Sequence, residues 1–160
     1  MRAVTVERVG MDVEAERAVV LLRDSVGNRL LPIVIGLAEA TAIALKLQDQ
    51  EAPRPLTVDL LKTVLDSFDA KVLMVVINDL RDSTFFARVF VRASTLGAST
   101  LELDARPSDA VGLALKFGAP IYVAEWILDE AAVEIQSEDD EPEGADHEHG
   151  EDDEGPGKPH

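Results

Sequence analysis

The chain predicts an α+β domain built from two β-β-β-α units with an extra helix inserted between them. The first observation behind this is an internal similarity. Residues 31–47 read LPIVIGLAEATAIALKL and residues 101–117 read LELDARPSDAVGLALKF. Superposed, they share Leu31/Leu101, Ala40/Ala110, Ala44/Ala114, Leu45/Leu115 and Lys46/Lys116, with Glu39 standing opposite Asp109. The second is that the segments upstream also align, pairing Ala18/Ala87, Val20/Val89 and Arg23/Arg92 at an offset of 69 that becomes 70 after the hairpin turn. One extra loop residue in the second unit explains the change. The third is period: short β-branched runs alternate with stretches of helical spacing.

Each element follows from local chemistry. Residues 3–9 (AVTVERV) and 17–23 (RAVVLLR) read as strands, and 24–28 supply a turn in which Gly27 and Asn28 can take positive φ. Residues 29–35 (RLLPIVI) form the third strand; Pro32 lacks an N–H and argues for an edge or a bulge. Residues 37–48 form a helix with Ala40, Ile43, Ala44 and Leu47 on one face. A linker at 49–55 carries two prolines. The inserted helix follows, with Thr57 as N-cap, Asp59 complementing the dipole, and Leu56 and Leu61 placed as a hydrophobic staple. Its expected buried face is Leu60, Leu61, Val64, Leu65 and Phe68.

The second unit comprises strands at 71–80, 84–92 and 100–105, with a loop at 94–99 centred on Gly97. A helix capped by Ser108 runs to Phe117, where Gly118 stops it and Pro120 prevents its resumption. A short strand at 121–123 and a short helix at 125–131 close the body. Small residues at Ala40, Ala44, Ala110, Gly112 and Ala114 suit close helix packing, either between the two units or across a homodimer seam.

Composition limits the function. Hydrophobic residues make up 46% of the 160 but aromatics only 4%, so the core is aliphatic. There is no cysteine, which excludes disulfides and thiolate metal sites. The formal net charge is −16. Residues 137–160 hold 11 acids and one Lys, and their lack of apolar periodicity predicts a disordered acidic tail after a domain at 1–136. All three histidines lie in that tail, where His147 and His149 form a loose metal-binding pattern or simply part of a polar tail. Acid–base chemistry in the body must therefore use carboxylates, Lys, Tyr122 or metal-bound water. No apolar run suits a signal peptide or membrane span, so a cytoplasmic protein is expected. Phosphate-binding glycine loops, a nucleophile elbow, a zinc HExxH and a basic cluster with interleaved aromatics are all missing from the sequence.

The sharpest local pattern is Arg106-Pro107-Ser108-Asp109, where a strand gives way to a helix. Helix starts offer unpaired N–H groups and a positive dipole end, which favour anions. Arg106 adds a planar fork for phosphate, and Asp109 could hold a divalent metal or activate water. The structural alternative is that Ser108 caps, Asp109 complements the dipole and Arg106 pairs with a nearby acid. Arg54-Pro55-Leu56-Thr57-Val58-Asp59 repeats the layout and the same ambiguity. Glu39 occupies the position equivalent to Asp109, with Gly36 in place of Arg106 and able to admit a close approach. Asp79 and Asp82 flank Arg81 and read mainly as turn residues. Carboxylates from Glu39, Asp59, Asp79 and Asp109 would suffice for one or two Mg²⁺ or Mn²⁺ ions, although no spacing matches a fixed metal motif.

Five segments, LLPIVIGLAEATAIAL, RPLTVDLL, DSTFFARV, ARPSDAVGLAL and GAPIYV, resemble the bifunctional nuclease family over nearly the whole body and none of the tail. The resemblance implies cleavage of DNA and RNA, nucleic acid as partner, and homo-oligomers, commonly dimers. The positions that match its motifs are Glu39, Arg54, Asp59, Arg106, Ser108 and Asp109. On this reading Asp109, Arg106, Glu39 and Asp59 are the expected catalytic residues, Arg54 and Ser108 bind substrate, and Asp109 with Glu39 would hold the metal. The competing expectation is a non-catalytic regulatory or interaction module that binds an anion or a protein partner.

Overall fold

The structure is a computed structural model that describes residues 1–97 and 99–135. The predicted acidic tail at 137–160, with its histidines, lies outside the described residues. Eight strands and four helices follow in the order β1 (Arg2–Asp12), β2 (Arg17–Asp24), β3 (Arg29–Ile35), α1 (Leu37–Leu47), α2 (Thr57–Ser67), β4 (Ala70–Arg81), β5 (Thr84–Ala93), β6 (Thr100–Ala105), α3 (Pro107–Phe117), β7 (Ile121–Val123), α4 (Glu125–Ala131) and β8 (Val133–Glu134). The class is α+β, as predicted.

All strands join one sheet in the order β6-β5-β4-β7-β1-β2-β3-β8. Two antiparallel meanders, β1-β2-β3 and β4-β5-β6, are linked through β7, which runs antiparallel to β1 and parallel to β4. Alternation decides the buried face. Ala18, Val20 and Leu22, then Leu31, Ile33 and Ile35, then Ala87, Val89, Val91 and Ala93 all point into the core. Helix α1 lies over β1 and β2, α3 lies over β4 and β5, and the two helices pack on each other. Ala40, Ala110 and Ala114 are fully buried, as small residues at a close helix crossing should be. Gly112 serves a different neighbour: a Cβ there would lie 3.4 Å from Val58, so it admits α2 rather than α1.

The expected edge character of Pro32 is present. It pairs with Leu21 on one side, while β8 reaches only Arg29 and Leu30 on the other. The β4–β5 turn places Asp82 and Ser83 at φ of 50° and 60°, the backbone of a tight two-residue hairpin. Gly118 ends α3 at φ 62°, the left-handed helix stop predicted for it.

The turn at 24–28 differs from expectation, since neither Gly27 nor Asn28 takes positive φ. Gly27 is required by space instead, because a Cβ would meet a carboxylate oxygen of Asp24 at 2.7 Å. Asp24 is buried. It accepts hydrogen bonds from Arg29 at 2.9 and 3.2 Å and from the Val26 N–H at 3.2 Å, and Arg2 lies 3.6 Å away. Arg29 continues to Asp129 on α4 at 2.7 Å, tying that helix to the hairpin. Burial pushes the Asp24 carboxyl up, but Arg29, the Val26 and Gly27 N–H groups and Arg2 outweigh it and hold its pKa below the ordinary value.

Helix α2 departs most from the sequence reading. None of its residues is buried. Leu60 and Phe68 are 60% and 64% exposed, and Leu61 and Val64 are also open, so only Leu65 and Val58 pack on the core. The amphipathic period is present, but the apolar stripe faces outward. Among the described residues no helix is long and apolar enough to cross a membrane.

Candidate functional site

Strands β3 and β6 lie near opposite edges of the sheet, and it is the packing of α1 on α3 that brings the starts of these two helices together. Arg106 holds extended backbone as the N-cap of α3, and Pro107 occupies the first helical position, where its missing N–H costs nothing. Ser108 therefore sits one residue inside the helix and is not its cap. Likewise Leu56, not Thr57, is the N-cap of α2. The helices begin earlier than the hydroxyl residues suggest because Leu56 and Arg106 already supply the extended turn into each helix.

Arg106 donates from Nε to Asp109 Oδ2 at 2.8 Å and from Nη2 to Asp109 Oδ1 at 2.9 Å and Glu39 Oε1 at 2.8 Å. A guanidinium has five N–H donors; these bonds use Nε and Nη2, and among the described residues Nη1 has no partner. Asp109 first, then Glu39, raise the Arg106 pKa above its ordinary value, so its charge is permanent. Glu39 reaches this position by folding back over Gly36, whose Cα hydrogen face touches the Glu39 carboxylate; a Cβ there would collide with it. Gly36 thus makes room for a side chain of its own helix.

A cavity of about 380 Å³ opens beside this cluster, lined by the first two turns of α1, α2 and α3. Arg106 and Ser108 also line a second hollow of about 410 Å³, between the end of β3 and the Ser83–Thr84 turn. Ser108 is only 7% exposed and borders both. Each helix start carries about half a positive elementary charge, which partly offsets the surplus negative charge of two carboxylates on one arginine.

The other predicted residues lie apart. Asp59 accepts the Leu56 N–H at 2.8 Å and pairs with Lys116 at 2.5 Å, outside the cavity lining. Lys116, then the Leu56 N–H, hold its pKa below the ordinary value. With Lys62 lying 4.8 Å over the Phe117 ring, this bridge attaches α2 to α3. Arg54 is exposed in the link between α1 and α2 and joins neither cavity. Asp79 pairs with Arg81 at 2.9 Å. Among the described residues no three carboxylate or imidazole side chains converge as metal ligands. Glu39 and Asp109 both accept from Arg106, so an Mg²⁺ or Mn²⁺ ion held by them would compete with the guanidinium and would draw the rest of its roughly six oxygen ligands from water and substrate phosphate.

The bifunctional nuclease domain family matches residues 20–136, well over half of the chain and including both helix starts and the cavity. The chain belongs to the bifunctional nuclease domain family. An uncharacterized protein of Mycobacterium tuberculosis is 42% identical over 83% of this chain and 79% of its own length. Bifunctional nuclease 1 of Oryza sativa subsp. japonica is 25% identical over 70% of the chain, and bifunctional nuclease 1 of Arabidopsis thaliana 24% over 69%. The chain spans about a third of the length of these plant relatives (34% of each).

The Arg106–Asp109 pair and Glu39 are recognisable in the sequence. The cavity walls, Ala38, Ala42, Val58 and Leu61, are not, because small and aliphatic residues carry no motif.

Proposed function

We propose that this chain hydrolyses phosphodiester bonds of DNA and RNA, and that the reaction takes place at Arg106, Glu39 and Asp109. The observation that carries the reading is the fork of Arg106, held by two carboxylates from two helix starts, with Nη1 bonded to none of the described residues. Membership of the nuclease family supports it. A nonbridging phosphate oxygen would accept from Nη1, and Ser108 with the α3 start would face the same anion. Glu39 or Asp109 would take a proton from water as its oxygen bonds to phosphorus. The bond from phosphorus to the leaving sugar oxygen then breaks, and that oxygen is protonated by solvent. Arg54 would steer the strand from the periphery, and Asp59 would act indirectly by holding α2 in place. Mg²⁺ or Mn²⁺ enters this reading only as a companion of the substrate phosphate, with Glu39 and Asp109 as its protein-side carboxylates.

End-labelled RNA and single-stranded DNA, incubated with Mg²⁺, Mn²⁺ or EDTA, test the reading beside folded Arg106→Gln. Cleavage lost in the variant supports it. Equal cleavage by both proteins sinks it. One observation favours the alternative of a non-catalytic binding module: Arg106 and its two carboxylates sum to a negative site, which disfavours a polyanion. Binding of ligand without turnover under every condition would select that alternative.

We also propose a homodimer through α2. The stripe of Leu60, Val64 and Phe68 is exposed and uncharged, on a chain whose net charge of −16 opposes self-association elsewhere. Sedimentation of wild type and Leu60→Lys tests this; a monomeric wild type contradicts it.

A further inference from the structure

Phosphodiester chemistry at Arg106 uses only one end of the cavity. The rest has no role in that chemistry. Ala38 and Ala42 from α1, Leu56 and Leu61 from α2, and Gly112 from α3 form walls without charge. Their smallness holds the space open: larger residues at Ala42 or Gly112 would fill it. At the polar end lies Ser108, 7% exposed, with its hydroxyl free of any hydrogen bond to another described residue. That hydroxyl is open to the cavity, so a ligand atom that pairs with it takes the place of water there. At about 380 Å³ the cavity falls in the range of small-molecule sites. The ligand that suits it carries an anion at one end and a flat, weakly polar body at the other.

We propose that the cavity receives one unpaired nucleobase of the strand whose phosphate lies at Arg106. This rests on the nuclease reading and adds a substrate class to it. Aliphatic walls hold a base by contact with its faces, and the adjacent phosphate occupies Nη1. A base inside a duplex must first unstack and unpair, at a cost of a few kcal/mol. The enzyme therefore takes single strands, loops and frayed ends ahead of paired duplex. The walls offer few polar groups, so base identity matters less than the presence of a base.

The test is a binding measurement that needs no turnover. AMP, UMP, ribose 5-phosphate and inorganic phosphate are titrated into the full chain by calorimetry or NMR. The expected result is that both nucleotides bind about tenfold or more tightly than ribose 5-phosphate, the scale of one group in an apolar pocket. Ala42→Phe, which fills the cavity and leaves the Arg106 cluster untouched, abolishes that difference and keeps ribose 5-phosphate binding. Ala38→Leu, at an exposed position, is the second variant should Ala42→Phe fail to fold, and it gives the same loss. Nucleotides binding no better than ribose 5-phosphate, or a preference that survives both variants, overturns the base pocket even where single strands are cleaved. A base preference removed by the variants in a protein that cleaves nothing keeps the pocket and overturns the nuclease reading.

Discussion

Replacing Gly36 by alanine should uncouple Glu39 from Arg106 while leaving the fold intact. Gly36 sits at φ −75° and ψ 157°, a conformation open to any residue. The backbone therefore accepts alanine, and the only obstacle is the Glu39 carboxylate lying against the Cα. That carboxylate is the far end of a flexible side chain, so it yields and the rest of the helix does not. Three effects set the stability change. Restricting the unfolded chain stabilises by about 0.4–1 kcal/mol. Exchanging glycine for alanine at an N-cap costs several tenths of a kcal/mol, roughly. Loss of the 2.8 Å bridge to an arginine whose side chain is 66% exposed costs about 0.2–1 kcal/mol. The sum is within about 1 kcal/mol of zero, so the urea midpoint should hardly move. The displacement must be read from the site. In the side-chain NMR spectrum the Arg106 Nε–H signal should persist, because its bond to Asp109 remains, while the Nη2 protons exchange faster. In a double-mutant cycle Glu39→Gln should then add nothing to Gly36→Ala. An unchanged Arg106 signal, with Glu39→Gln costing the same in both backgrounds, would mean that Gly36 does not control the Glu39–Arg106 bridge.

Three other outcomes follow from the same geometry. Asp24→Ala leaves Arg29 and Arg2 without their buried carboxylate and should destabilise by about 3–5 kcal/mol in urea unfolding; a loss below 1 kcal/mol would rule that network out as a structural anchor. Asp24 and Asp59 both have folded pKa values depressed from 3.8, so their stabilisation is complete above that pH and disappears as pH falls through the folded values. Melting temperature should therefore drop as pH falls below about 4, and Asp59→Asn should flatten part of the drop. Helix α2 has no buried residue, whereas Val111 and Ala114 in α3 are fully buried. At dilutions that separate the proposed dimer, its amides should exchange with deuterium well ahead of those of α3, and their protection should rise with protein concentration as the stripe is covered; slow exchange unaltered by dilution would contradict an open helix face.

Much of this fold is written in local patterns. Alternation marks β2, β3 and β5, the short helix at Glu125–Ala131 falls within its predicted bounds, and Gly118 stops α3 as its φ requires. Helix starts are read less well. Thr57 and Ser108 carry the side chains of caps, but the chain turns into each helix at the residue before the hydroxyl or earlier. The period of α2 shows an apolar face without showing what covers it, and tertiary packing leaves that face open. At the site, Arg106 and Asp109 are three apart on one helix start, a spacing local enough to recognise. Glu39 arrives from 67 residues away. The alignment of residues 31–47 with 101–117 pointed to it, by placing both acids at equivalent helix starts, as did the family resemblance. The partner of Asp59, Lys116, depends on how α2 lies across α3, which no local signal encodes.

Arg106, Glu39 and Asp109 are proposed to form a phosphodiester-cleaving site. The most direct measurement is the single-turnover rate on end-labelled single-stranded RNA for wild type and Asp109→Asn, with circular dichroism showing both folded. Asp109→Asn keeps the shape and removes one of the two carboxylates that hold Arg106. Wild type should cleave, and the variant should lose about 10²-fold or more in rate. Equal rates in the two proteins, or no cleavage by wild type with Mg²⁺, Mn²⁺ or EDTA, would contradict the proposal.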